Sequence, residues 1–267
     1  MEKTHAGLAV VGILIIADIF LFIWRPLGEN FFIIADLLVA VLAFTSFLFS
    51  LYAYKLHGFR SLQGKALLFL SLGIFFWFLG ESAWAVYEIG LGIEAPIASF
   101  ADLMWYAGYP LFIAGLYYEW KITRIPLTKD RKFLAVLLLM AVLILVSWYG
   151  IIPTVQNSET DLLEKSVVIG YVAGDLAIML GCSIIIVSFL GGKFAKPWII
   201  ITMAIILTSL ADIGYSYLST AYETGNWIDL LWDIDYLLLA YGFFYYRQSV
   251  KEIEIPVKKK RGGIEWP

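Results

Sequence analysis

Ser99-Phe-Ala-Asp-Leu-Met-Trp-Tyr-Ala-Gly-Tyr109 recurs in the second half of the chain as Asn226-Trp-Ile-Asp-Leu-Leu-Trp-Asp-Ile-Asp-Tyr236. The two stretches share Asp102/Asp229, Leu103/Leu230, Trp105/Trp232 and Tyr109/Tyr236 without a gap. The match continues through Leu111/Leu238, Gly115/Gly242 and Tyr118/Tyr245. Extended backwards, Lys65, Glu81 and Tyr87 align with Lys196, Asp212 and Leu218, and Ala35-Asp36-Leu37 aligns with Gly174-Asp175-Leu176. The chain therefore reads as a tandem duplication, with an acid and aromatic rings at the head of a long apolar run in each copy.

Composition names the solvent of those runs. Of 267 residues, 61% are hydrophobic, 17% aromatic and only 15% charged, too little polar surface to cover a water-soluble globule of this length. Apolar runs at 7–24, 31–54, 66–90, 99–120, 133–152, 166–190, 198–219 and 228–246 each approach the ~20 residues that a bilayer's hydrocarbon requires of a helix. They are too long and too continuously apolar for the alternating strands of a barrel. The first run contains Asp18 and lacks a small-residue cleavage site, so it reads as a membrane helix and not as a signal peptide. The expected fold is an all-α polytopic membrane protein with eight transmembrane helices. Residues 1–124 and 125–250 form two four-helix repeats, and 251–267 form a basic tail containing Lys258-Lys-Lys-Arg261, suited to contact with anionic lipid.

Basic residues set the orientation. Alternate loops and the two tails hold 17 of the 19 Lys and Arg, leaving Arg25 and Lys165 on the other side. The positive-inside rule then places both termini in the cytoplasm of a multi-pass plasma-membrane protein. Because four helices per copy is an even number, the two repeats share an orientation and are related by an axis along the membrane normal. The fifth run has no charge between Leu134 and Gly150 and is expected to face lipid.

All Lys and Arg fall in loops or at helix ends, yet Asp18, Asp36, Glu81, Asp175, Asp212, Asp233 and Asp235 fall inside the runs. An intramembrane carboxyl costs several kcal/mol unless it is protonated, hydrogen-bonded, hydrated or neutralised by a cation. Helical spacing gathers these acids with aromatics: Trp77, Glu81, Trp84 and Glu88 on the third helix, Asp102, Trp105, Tyr106 and Tyr109 on the fourth, Thr208, Asp212, Tyr215 and Ser219 on the seventh, and Asp229, Trp232, Asp233 and Tyr236 on the eighth. Glu81 and Asp212 are the expected centre of an outward-opening pocket, with Trp77, Trp84, Trp105, Tyr109, Tyr215, Asp233 and Tyr236 lining it. Asp18, Asp36, Asp175 and Asp235 are further proton or cation positions. Acids walled by aromatic rings suit a small cationic or amine ligand. Ser99-x-x-Asp102 and Asn226-x-x-Asp229 also read as helix caps.

Other chemistry is poorly supplied. The lone Cys182 cannot form an intrachain disulfide, and the two histidines, His5 and His57, sit at the cytoplasmic edge. No nucleophile triad, metal-ligand spacing or phosphate-binding glycine loop occurs. A non-enzymatic role with no cofactor and no metal is therefore expected, and nothing points to nucleic acid.

Trp84-x-x-Tyr87-Glu88, a short loop with Pro96, Ser99 through Pro110, and the later Asp229-Leu-Leu-Trp-Asp-Ile-Asp-Tyr236 resemble the multi-helix membrane sensory regions that precede diguanylate cyclase (GGDEF) or kinase domains in prokaryotes. The resemblance covers most of residues 31 to 246, and no output domain follows. It implies a sensor or receptor class; a cytoplasmic signalling protein and a second copy of the chain in a homodimer are the further partners expected. A cation- or proton-coupled transporter is the alternative reading of the same acids.

Overall fold

The computed structural model describes residues 2–123, 128–146, 148, 152, 156, 161–189, 195–218 and 222–261. Ser219 and the side chains of Lys258 through Arg261, named above, lie outside the described residues, as do Arg124 and Lys193 among the basic residues counted for orientation. Among those described, the chain is helical without strands: α1 (Glu2–Trp24), α2 (Phe32–Tyr54), α3 (Leu62–Ala85), α4 (Phe100–Thr123), α5 (Lys129–Val146), α6 (Leu162–Phe189), α7 (Ala195–Leu218) and α8 (Asp229–Arg261).

Five of these helices, α1, α2, α3, α6 and α7, are long and apolar enough to cross a membrane. The other three carry more charge. Asp102, Glu119 and Lys121 lie in α4, Lys129, Asp130, Arg131 and Lys132 open α5, and Asp229, Asp233 and Asp235 open α8. Large apolar side chains face outward around the bundle, among them Ile13, Ile16, Ile23, Val41, Leu103 and Leu162. In α5 the exposed Phe133, Leu137, Met140 and Ile144 fall on one stripe. This is an inverted surface, as apolar solvent requires.

Local chemistry fixes the helix ends. Ser61 has extended backbone and its side chain accepts from Gly64 N–H at 2.9 Å, capping α3. Arg25, at φ 46°, closes α1 in the left-handed region, and Pro26 follows it. After Ala85 the α3 spiral loosens into one π turn, Val86–Gly90.

The helices pack as a ring. α2 lies on α3, α3 on α4, α4 on α6, α6 on α7, α7 on α8, and α8 returns to α2. The packing is repeat-like: the order α2-α3-α4 is echoed by α6-α7-α8, and the joint α4–α6 is echoed by α8–α2. The outer helices break the echo, because α1 seats on α8 whereas α5 seats on α6. The main core runs through the ring and includes Leu67, Leu70, Ile74, Trp77, Phe112, Ile178, Ile201, Tyr236 and Phe243. Cys182 is one of its buried small residues, as expected of a free cysteine.

Candidate functional site

The α3–α4 contact positions the first acid. Gly80 and Gly108 are the hollows of this interface. A Cβ on Gly80 would come within 2.4 Å of Trp105 Nε1, and one on Gly108 within 2.4 Å of Trp77 Nε1. Each helix thus takes the other's tryptophan where it has no side chain, the close approach that small residues allow between membrane helices. Seated there, Trp77 Nε1 donates to the Trp105 carbonyl at 3.2 Å. Trp105 Nε1 in turn donates to Glu81 Oε1 at 3.3 Å, and Tyr236 Oη from α8 donates to the same oxygen at 2.9 Å.

The second acid is held in the same manner. Trp232, which the sequence aligns with Trp105, donates to Asp212, which the sequence aligns with Glu81, at 2.8 Å. Tyr109 crosses from α4 to α6 and donates to Asp175 Oδ1 at 2.9 Å. Asp175 also stands within hydrogen-bond reach of Asp212 and Ser209. Two carboxyl groups make such a contact by sharing a proton. In the first half Asp36, aligned with Asp175, makes its carboxyl contact with Glu88 and not with Glu81, the residue aligned with Asp212.

The remaining side chains form an outer layer. Trp84 Nε1 donates to Thr224 Oγ1 at 3.4 Å, and Thr224 donates to Glu88 Oε1 at 3.0 Å, which ties the α7–α8 loop to α3. Tyr215 meets Tyr222 edge-on at 4.7 Å and lies 6.1 Å from the Trp232 ring. Thr208 donates to Asp235. Asp233 does not join this set: it is buried where α8 faces α1, within electrostatic reach of Asp18.

The two repeated segments differ as caps. Asp102 N–H donates to Ser99 Oγ at 3.2 Å, and Ser99 N–H returns to Asp102 Oδ2 at 2.7 Å, a reciprocal capping box. Asp102 Oδ1 is then free to accept from Tyr171 Oη of α6 at 2.6 Å. In the second copy Asn226 Oδ1 accepts from Ile228 N–H at 3.3 Å. Asp229 takes Gly225 N–H at 2.6 Å and Tyr222 Oη at 2.9 Å. Burial and the Asp229 carboxylate push the Tyr222 hydroxyl well above its ordinary range, so it stays a donor.

Tyr171, Tyr222, Thr224 and the buried Glu119 were not among the residues singled out from sequence. Tyr171 had a signal, since it precedes Asp175 by one helical turn on the same face. Tyr222 and Thr224 lie in a loop, where no periodicity marks them. Glu119 was masked by its neighbours Trp120 and Lys121 at the helix end.

Trp77, Trp105, Glu81 and Tyr236 thus form one hydrogen-bonded set and Trp232, Asp212, Asp175 and Tyr109 a second, and the edge-on contact of the Trp77 and Tyr109 rings at 6.1 Å brings the two together. Neutral donors hold each acid, and no basic side chain is among their partners. Acids held by neutral donors in this way have the chemistry to exchange protons or to accept a compact positive charge. Among the described residues no group of three or more His, Cys, Asp and Glu could hold a metal ion. Comparison with protein-family models, curated proteins and solved structures gives no match.

Proposed function

We propose that this chain is a sensory or receptor-type membrane module of eight transmembrane helices, with both termini in the cytoplasm and two tandem four-helix repeats of the same orientation. Protonation of the Glu81/Asp212 network, or its occupancy by a small cationic or amine ligand from the outer side, changes how the halves hold each other. A cytoplasmic protein reads that change.

The observation that carries this reading is the crossing of the tyrosines. Each acid is bound by a tryptophan of its own half, but Tyr236 reaches from the second half to Glu81, and Tyr109 reaches from the first half to Asp175. Whatever changes the bonding of these acids changes a contact between halves. A ligand biases such a two-state arrangement only by binding one state better.

A cation- or proton-coupled transporter is the second reading, favoured by the Asp175–Asp212 contact and by the unpartnered Oδ1 of the neighbouring Asp235. The test is made in proteoliposomes and nanodiscs. Spin labels on α3 and α7 should report a distance change with pH or with tetramethylammonium, without net flux. Proton or sodium flux abolished by Glu81→Gln and Asp212→Asn would replace the sensor reading with the transporter.

A further inference from the structure

We infer that Asp18 of α1 and Asp233 of α8 form a second positive-charge site, separate from the Glu81/Asp212 network, at which one proton or alkali cation bridges two carboxyl groups and holds α1 against the bundle.

Geometry places the pair. α1 and α8 run antiparallel along one seam. Tyr241 Oη donates to the Thr4 carbonyl at 3.1 Å, and Gly7 leaves room for Phe244 and Tyr241. Val11 packs with Leu237 and Tyr241, and Phe22 with Leu230. Between the last two layers the register sets Asp18 opposite Asp233. On α1 the buried positions Thr4, Val11, Asp18 and Phe22 form one heptad-like stripe, and Asp18 is its one charged member.

Both side chains are buried, 6% and 1% exposed, and all four of their carboxyl oxygens lack a hydrogen-bond partner. Asp36, Glu81, Asp175, Asp212, Asp229 and Asp235 each have a donor or a proton-sharing neighbour, whereas all four oxygens of Asp18 and Asp233 lack one. Two ionised carboxylates without donors in a low-dielectric seam would drive α1 away from α8. One added positive charge turns that repulsion into a bridge.

A cleft of about 340 Å³ opens at the α1–α8 seam next to the pair, although neither carboxyl lines it. Ile19, Phe22, Ile23, Trp227 and Leu230 line it, and Phe22 and Leu230 are one turn from Asp18 and Asp233 on the same faces. The charged groups around the pair are Glu81 from α3 and Asp229 and Asp235 on α8 itself, all acids. Arg25, at the rim of the cleft, lies over the Phe31 ring at 5.4 Å, about two turns of α1 above Asp18. It is not a partner of either carboxyl.

The experiment uses the full chain in nanodiscs and compares thermal denaturation of the native protein with Asp18→Asn and with Asp233→Asn. Measurements run from acid to alkaline pH, in choline chloride and in sodium chloride. An amide at either position mimics the neutralised pair. The variants should therefore match the native protein at low pH and exceed its Tm increasingly as pH rises, by roughly 2–5 °C per pH unit. The double variant should add nothing beyond the singles, and Glu81→Gln should leave the separation in place. A separation that sodium closes identifies an alkali cation; one that sodium leaves unchanged identifies a proton. A constant separation at all pH values and in both salts overturns the inference. So does failure of both isosteric variants to fold under every condition, since the neutralised pair should be the favoured form.

Discussion

At the residue scale, the character of the Glu81 site comes from which atoms donate. Trp105 Nε1 and Tyr236 Oη converge on one carboxyl oxygen, so a replacement that keeps an oxygen there keeps the bonds. Glu81→Gln should change stability by under ~1 kcal/mol. Glu81→Leu strands two buried donors at ~1–3 kcal/mol each and should cost ~2–5 kcal/mol, measured by chemical denaturation in detergent. Tyr236→Phe removes one donor and keeps the packing, so ~1–2 kcal/mol is expected. Equal losses for Glu81→Gln and Glu81→Leu would show that the carboxyl is bonded otherwise. Types and spacing of these residues were legible in the sequence. Their partners were not: Trp232, Asp233 and Tyr236 occupy five positions of α8, yet they reach α7, α1 and α3 respectively. Successive residues turn by 100° around a helix, so neighbours in sequence address different neighbours in space.

At the scale of elements, the α3–α4 pair depends on two glycines that each admit a tryptophan. Gly80→Ala and Gly108→Ala would push a Cβ to 2.4 Å from an indole nitrogen, and each should destabilise by ~1–3 kcal/mol through overpacking. Gly12, in α1, meets nothing within 4 Å, and Gly12→Ala should be neutral or stabilising by up to ~1 kcal/mol through helix propensity. Thermal shift on the three variants checks the contrast, and a loss at Gly12 equal to that at Gly80 would contradict it. At the head of α4, Ser99→Ala should cost ~1 kcal/mol and speed amide exchange in the first turn, because the Asp102 N–H loses the Ser99 hydroxyl as acceptor while the Ser99 backbone N–H keeps its bond to Asp102 Oδ2. The capping pair was readable from Ser99-x-x-Asp102, since a cap is a contact within one turn. Asp102's second bond, to Tyr171, was not, because it belongs to the α4–α6 joint.

At the scale of the molecule, the ring α2-α3-α4-α6-α7-α8 and the basic residues make a joint prediction. Lys55, Lys65 and Lys121 lie at helix ends opposite to the end near Arg25 and Lys165. Impermeant amine labelling of intact cells should modify Lys165 and spare Lys55, Lys65 and Lys121, with the pattern reversed in inside-out vesicles. Labelling of both groups from one side would refute the proposed topology. The sequence by itself determined that the chain is helical, that its surface belongs in apolar solvent, that the Asp-Leu-x-Trp stretch recurs in its second half, and which acids lie within the helices. Hydropathy, periodicity and self-similarity are written along one strand of residues and need no knowledge of neighbours. Only the tertiary structure decided which acids receive donors and which stay bare. Closure of the ring brings Tyr236 to Glu81 and Tyr109 to Asp175, while the asymmetric seating of α1 on α8 leaves Asp18 facing Asp233 with no donor between them.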